Sequence, residues 1–400
     1  MIQAGNALPD WRCSLWCPSY NDEMISRKKS LKAGIRLALC TLAILVSASS
    51  FKSADTIPSE ISDQAYWKMI AGMSEPDGQF RFENFLSNEI QYQYVIPGLK
   101  SGTRSGGVYL GVGPEQNFTY IAALRPRIAF ITDIRRQNML ELVMYRAIFE
   151  LSPDRADFLS MLFSRRRPDG LNGNSSPEQL FRAYVASPAD PELYQSNLKA
   201  IQELLVQKHQ FDLSVADLRN IAYVYQVFYT DGPYLDYSSG GLATNPSRGM
   251  PNYSELMTAD DGRGTHRSYL AVEENYKIVR ELQMKNLIVP LVGDFAGPKT
   301  IRSIGQYLKE HQATVTAFYL SNVEQYLYSD GKLLDFFKNV STLPMDSSST
   351  FIRTFGPNGG GSSFSGGSGF QSMLSPMIDV VQACTVGHGC DYSTVRQMSH

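Results

Sequence analysis

Short apolar runs alternate with helix-spaced apolar positions in two stretches of this chain, and a longer, irregular helical stretch separates them. Ser62 stands as the N-cap of a helix carrying Tyr66, Trp67, Met69 and Ile70, which Glu75-Pro76-Asp77-Gly78 breaks as a turn. Asn84 to Glu89 leads into Ile90 to Ile96, a short helix stopped by Pro97-Gly98. Gly107 to Gly113 is a short apolar strand ending in glycines, and Pro114-Glu115-Gln116-Asn117 opens a helix through Leu124, with proline in the tolerated first turn. A second strand runs from Arg127 to Thr132 and ends on Asp133. Met139, Leu142, Val143, Ala147 and Ile148 then fall at helical spacing.

From Ser152 to about Arg267 the pattern is helical but irregular, with loops at Asp169 to Pro177 and Asp231 to Pro251. It reads as an insertion after the second strand, forming a cap over the sheet edge where ligands bind. Alternation resumes with a helix from His266 to Met284, a strand from Asn286 to Gly293 ending at Asp294, and a helix from Pro298 to Lys309. A fourth strand, Thr314 to Leu320, ends at Ser321-Asn322. Val323 to Lys338 is helical with a break at Ser329 to Gly331, and Ser349 to Phe355 is a fifth strand. The rest is rich in Gly and Ser, with a short helix around Met373 to Ala383. The fold class expected is α/β, a doubly wound and mostly parallel sheet with a helical insertion. Its core halves are 61–152 and 267–355, the insertion is 153–266 and the tail is 356–400.

Ahead of the core, Arg27, Lys28, Lys29, Lys32 and Arg36 precede the apolar run Leu37 to Val46, followed by Ser47-Ala48-Ser49-Ser50. Residues 24–53 have the charged, apolar and small-residue regions of a secretory signal, with cleavage after Ala48. The apolar run is about half of the ~20 residues a spanning helix needs, so an uncleaved anchor and a buried helix stay open as alternatives. Met24 stands directly before the basic cluster, which makes 1–23 an over-extended start. The domain is therefore expected outside the cytoplasm, exported or anchored by its N-terminus, with contact to a membrane only through that segment.

Of the five cysteines, Cys13, Cys17 and Cys40 lie in or before the leader, leaving Cys384 and Cys390 after cleavage. Export makes a disulfide between these two the favoured reading, with two free thiols as the alternative. No Cys/His cluster has zinc spacing, so no metal is expected. A net charge of −2 on 400 residues offers no basic face for nucleic acid. The H-E-x-x-H, G-x-S-x-G and P-loop patterns are missing, so the corresponding hydrolase and NTPase signatures are too. The partner expected is a small molecule.

Candidate chemistry gathers at strand ends. Gly111 and Gly113 close a strand and open a helix, where a backbone without side chains admits a ligand and helix amides favour polar or negative groups. The third glycine of the dinucleotide pattern is replaced by Gln116, which argues against a pyrophosphate on this turn. Asp133 lies 22 residues after Gly111 at the end of the next strand, the place of a ribose-binding acid, with helix capping as the alternative role. Asp294 ends the third strand and suits an adenine amino group or a ligand amine, or else a turn. Tyr319, Asn322 and Glu324 end the fourth, with Asn322 orienting a substrate and Glu324 as base, or capping and solvation as the plainer roles.

These residues resemble class I S-adenosylmethionine-dependent methyltransferases, through Tyr109 to Gly113, Asp133, Gly293-Asp294 and Val315 to Leu320 with Asn322. The chain is more similar still to uncharacterised bacterial proteins with such a core, through Ser87-Asn88-Glu89, Gly111 to Asn117, Asp133 to Arg136 with Asn138, and Asn286 to Gly297. The resemblance covers about Ala65 to Phe355. It implies a methyltransferase-like fold binding S-adenosylmethionine, with Gly111, Gly113, Glu115, Asp133 and Asp294 around the cofactor. The chain departs from the pattern at Pro114 and Glu115, where a further glycine is usual. It also lacks an Asp/Asn-Pro-Pro-Tyr signature, carrying Ser321-Asn322-Val323-Glu324 instead. Two main functions follow as expectations: a methyltransferase-like enzyme, or an exported non-catalytic binding or structural protein keeping the fold. A weaker third is an enzyme using the crevice for another nucleoside or sugar-bearing ligand.

Overall fold

The expected apolar runs form strands in the computed structural model, which describes residues 55–240, 250–356, 370–386 and 391–400. They are β1 (Val108–Gly111), β2 (Ile128–Asp133), β3 (Ile288–Val292), β4 (Val315–Ser321) and β5 (Met345–Phe355). All five are parallel, in the sheet order β3-β2-β1-β4-β5, and a sixth strand, β6 (Gln371–Pro376), lies at the edge beside β5. Strand order therefore reverses between β1 and β4. Every residue of β1, β2 and β3 is buried, so both faces are covered, which is why these strands read as continuous apolar runs.

The helices of the core are α1 (Asp63–Met73), α2 (Ile96–Gly102), α3 (Gln116–Leu124) and α4 (Arg136–Leu151). The insertion supplies α5 (Arg155–Phe163), α6 (Pro177–Ala186), α7 (Pro191–Glu203), α8 (Val215–Asp231) and α9 (Tyr253–Thr258). Then follow α10 (Glu273–Met284), α11 (Thr300–Glu310), α12 (Val323–Ser329), α13 (Leu333–Val340), α14 (Met377–Val386) and α15 (Tyr392–Gln397). Helices α3, α4 and α10 pack together, and α1, α11, α13 and α14 form a second packed group. Ser62 caps α1 by accepting the Ala65 N–H, and α12 and α13 are separated at the expected break.

Five expectations change, the first being that the helix expected from His266 to Met284 begins only at Glu273. Pro97-Gly98 does not stop a helix but lies near the start of α2, since proline loses nothing where the first N–H groups have no intrahelical acceptor. The fifth strand begins at Met345, not Ser349. Met373 belongs to β6, which runs antiparallel to β5, and the helix begins after Pro376. That proline sits at the end of an edge strand, where a missing N–H costs little.

The insertion is also placed differently. Its helices are capped one by one, with capping boxes at Ser176 and Gln179, Ser214 and Asp217, and Asn252 and Glu255. Of them, α5, α7 and α8 pack against α4 while α6 and α9 pack on each other, and among the described residues of the insertion only Tyr237 lines the crevice at the strand ends. Phe149 lies 4.7 Å from Phe158, and Tyr145 lies 5.7 Å from Phe228, ring centre to ring centre. Helix α4 is buried at every residue from Asn138 to Phe149, which takes a second helical layer. The leader readings fall on residues outside those described, as do Cys390, residues 241–249 of the second insertion loop and residues 357–369 of the Gly/Ser-rich tail.

Candidate functional site

The carboxyl ends of all five parallel strands open onto one crevice of about 1180 Å³. Val112 and Gly113 follow β1, Thr132 and Asp133 end β2, Gly293 and Asp294 follow β3, Ser321 and Asn322 end β4, and Gly356 follows β5. Open α/β sheets bind ligands at this position, outside the strand ends where the order reverses. The segment Gln79 to Glu89 forms one wall, with Phe80 edge-on to Tyr326 at 5.3 Å. From the insertion, Tyr237 reaches the lining.

The two glycines have different jobs. Gly113 has φ +74°, the left-handed region that favours glycine, and it faces the crevice; a Cβ there would find its nearest neighbour, Asn84 Nδ2, at 3.7 Å. Gly111 does not line the crevice. A Cβ on it would strike the Asn117 amide, which donates from Nδ2 to the carbonyls of Val112 (2.9 Å) and Pro114 (2.7 Å) and accepts from Tyr109 Oη at 2.8 Å. Asn117 therefore holds the turn from within, and Gly111 makes room for it.

Asp133 lies at the end of β2, buried yet on the crevice. Its Oδ1 accepts the Arg135 N–H at 3.0 Å. Burial raises its carboxyl above the ordinary aspartate range, while the Arg135 guanidinium pulls it back. Asp133 is not the N-cap of α4; the Arg136 N–H is bound instead by Asp77 at 2.7 Å. Asp294 also lines the crevice but is engaged, accepting the Ala296 N–H at 2.9 Å and pairing with Lys332 Nζ at 3.1 Å. Behind it, Glu75 accepts N–H groups from Asp294, Lys299 and Thr300 at 2.7–3.0 Å, and so clamps the start of α11. Glu75 reads as part of a turn in sequence because its partners lie more than 200 positions away.

At the end of β4 one of three candidates faces the crevice. Asn322 lines it and makes no side-chain cap on α12, although it holds the N-cap position. Tyr319 is fully buried behind it, its hydroxyl accepting from Gln116 Nε2 at 2.7 Å. Glu324 cannot serve as a base in this arrangement. It is buried, and both oxygens are held by Arg353, at 2.6 Å from Nε and 3.0 Å from Nη2. That guanidinium is enclosed as well, 4.2 Å from the centre of the Phe351 ring and bonded to Ser375.

Glu115 turns inward, away from the crevice. Asn138, Glu141 and Tyr145 fall at i, i+3 and i+7 on α4, so they share one helix face. The carboxyl oxygens of Glu115 and Glu141 and both amide atoms of Asn138 are buried with no hydrogen-bond partner among the described residues, and the buried Tyr145 hydroxyl has only the Tyr253 hydroxyl nearby, outside hydrogen-bond geometry. Burial pushes the Glu115 carboxyl up to about 8; the amides of Glu115 and Ser87 draw it back without meeting hydrogen-bond geometry. Glu141 is raised by burial and then by Glu115.

A residue not singled out for chemistry in sequence stands on the crevice wall. Glu89 is 2% exposed; Ser321 donates to its Oε1, and Thr354 donates to Oε2 at 2.7 Å. Its place in the Ser87-Asn88-Glu89 stretch is the signal that could have marked it.

A family model described as Domain of unknown function (DUF7790) matches residues 84–173 and 174–398. The chain belongs to this family. The DUF7790 match begins at Asn84 and takes in Glu89, the glycine turn, all six strands and the insertion, while Glu75 and α1 precede it. No curated protein matches the chain. Among the described residues, no helix is long and apolar enough to cross a membrane, and no three or more His, Cys, Asp or Glu are grouped to hold a metal ion. Cys384 is disulfide-bonded, with its partner outside the described residues.

Proposed function

We propose that this DUF7790 protein binds an adenosyl ligand of the S-adenosylmethionine type in the crevice, in a methyltransferase-like, doubly wound fold. The observation that carries the reading is that Gly113, just after β1, and Asp133, at the end of the adjacent parallel β2, open onto one crevice at the reversal of strand order. The residues suit the ligand: Gly113 leaves the backbone open to close approach, and the carboxylate of Asp133 on the crevice is a group that can accept a ribose hydroxyl. Phe80, Tyr237 and Tyr326 supply flat apolar walls for a base. In the enzymatic form of this reading, Asn322 orients a methyl acceptor; Tyr319 and Glu324 support the fold from behind.

A second reading is an exported protein that binds the ligand without catalysis. The disulfide at Cys384 favours it, because disulfides persist in oxidising compartments, as does the engagement of Glu324 by Arg353. Calorimetry with S-adenosylmethionine and S-adenosylhomocysteine tests binding. Conversion of the first to the second, in the presence of candidate acceptors, separates enzyme from binder. Mass spectrometry of protein from its native compartment, with a start near Ser49 expected for export, tests the localisation.

A further inference from the structure

We propose that Glu89 is the counter-ion for a positively charged group of the ligand, an amine or a sulfonium, held over the ends of β4 and β5. This rests on the adenosyl reading and names the part of the ligand that the second half of the crevice recognises.

The carboxyl is built into its place by three elements. Its own N–H donates to Ser87 Oγ at 3.1 Å, Ser321 at the end of β4 donates to one oxygen, and Thr354 on β5 donates to the other at 2.7 Å. Ser321 does so with φ +50°, an uncommon conformation for a residue other than glycine. The other enclosed or partly enclosed crevice acids are matched by cations: Asp133 lies 4.0 Å from Arg135, and Asp294 pairs with Lys332. Glu89 has no salt bridge among the described residues, and its charged neighbourhood adds only the phenols of Tyr109, Tyr120 and Tyr319. The crevice cations are already engaged, Lys332 with Asp294, Arg81 over the Phe82 and Tyr326 rings, and Arg396 over Phe355. Burial favours the neutral carboxyl, so a charged group brought by the ligand would restore ionisation.

The reach fits a particular ligand. In the sheet, β1 separates β2 from β4, so Asp133 and Ser321 lie about 10 Å apart, two strand spacings. With its ribose at Asp133, an adenosyl compound carrying a propylamine arm would extend across Gly113 toward Ser321 and the Glu89 carboxyl that Ser321 bonds, whereas adenosine has no such arm.

Calorimetry on the full chain at low salt would compare 5′-methylthioadenosine, which is neutral, with S-adenosyl-3-methylthiopropylamine, which carries a sulfonium and an amine. Wild-type protein should bind the cation at least tenfold more tightly. Glu89→Gln should erase that preference and leave affinity for the neutral compound within twofold. Binding of both without preference would overturn the inference and leave the adenosyl reading standing, as would a preference that survives Glu89→Gln. Binding of neither would overturn both. If Glu89→Gln does not fold, Glu89→Asp, which keeps the charge and draws it back by one methylene, should reduce the preference, and a preference unchanged in Glu89→Asp rejects the ion pair.

Discussion

A Cβ on Gly111 would stand 1.9 Å from Oδ1 of Asn117, inside the space that amide needs to hold the glycine turn. Gly111→Ala should therefore lower stability by about 2–4 kcal/mol, from overpacking and from buried hydrogen bonds set free. Asn117→Ala should cost a similar amount. The double variant should cost clearly less than the two singles together, because both remove the same arrangement. Denaturant midpoints of the four proteins check this, and additive losses would show that the two residues act separately.

The buried carboxyl of Glu115 gives a pH signature. Its pKa in the folded protein, about 8, lies above the ordinary 4.5. Between those values the folded state binds the extra proton, so this group's contribution is fully present below 4.5 and is lost as pH rises toward 8. Glu115→Gln should remove that part of the slope, and the variant should gain on wild type steadily from pH 5 to pH 8. Melting temperatures at pH 5, 6.5 and 8 measure it. Parallel curves would contradict the burial of an ionisable carboxyl there.

Much of this architecture is legible in the chain because each of β1 to β4 is an apolar run closed by glycine or a polar residue, and Asp133 and Asn322 fall where such runs end. The tail is harder. Gln371 to Pro376 alternates only weakly on an edge strand, and its partner β5 lies across residues 357–369. Side-chain roles were the least legible. Glu324 and Asn322 are two positions apart on one turn, yet one faces the crevice and the other is bound by an arginine 29 positions later. Nothing local distinguishes them. Likewise Glu75 and Glu89 take their meaning from partners on distant strands and helices.

That contrast predicts opposite outcomes for two neighbouring substitutions. Glu324→Gln leaves the buried Arg353 charge without its counter-charge and should cost about 3–5 kcal/mol of stability. Affinity for an adenosyl ligand should be unchanged in the fraction that folds. Asn322→Ala should change stability by no more than about 0.5 kcal/mol and, in the enzymatic reading, should reduce turnover while sparing binding. Urea denaturation and calorimetry of the pair would show it. A stable Glu324→Gln protein with lost binding would return Glu324 to the site.

The most direct test of the central claim is a calorimetric titration of S-adenosylmethionine into wild-type protein and Asp133→Ala. Wild type should bind, and the variant should bind about ten- to a hundredfold more weakly, the loss of a charge-assisted hydrogen-bond pair worth roughly 1.5–3 kcal/mol. No heat with folded wild-type protein at millimolar ligand, or equal affinity in the two proteins, would contradict the placement of an adenosyl ligand between Gly113 and Asp133.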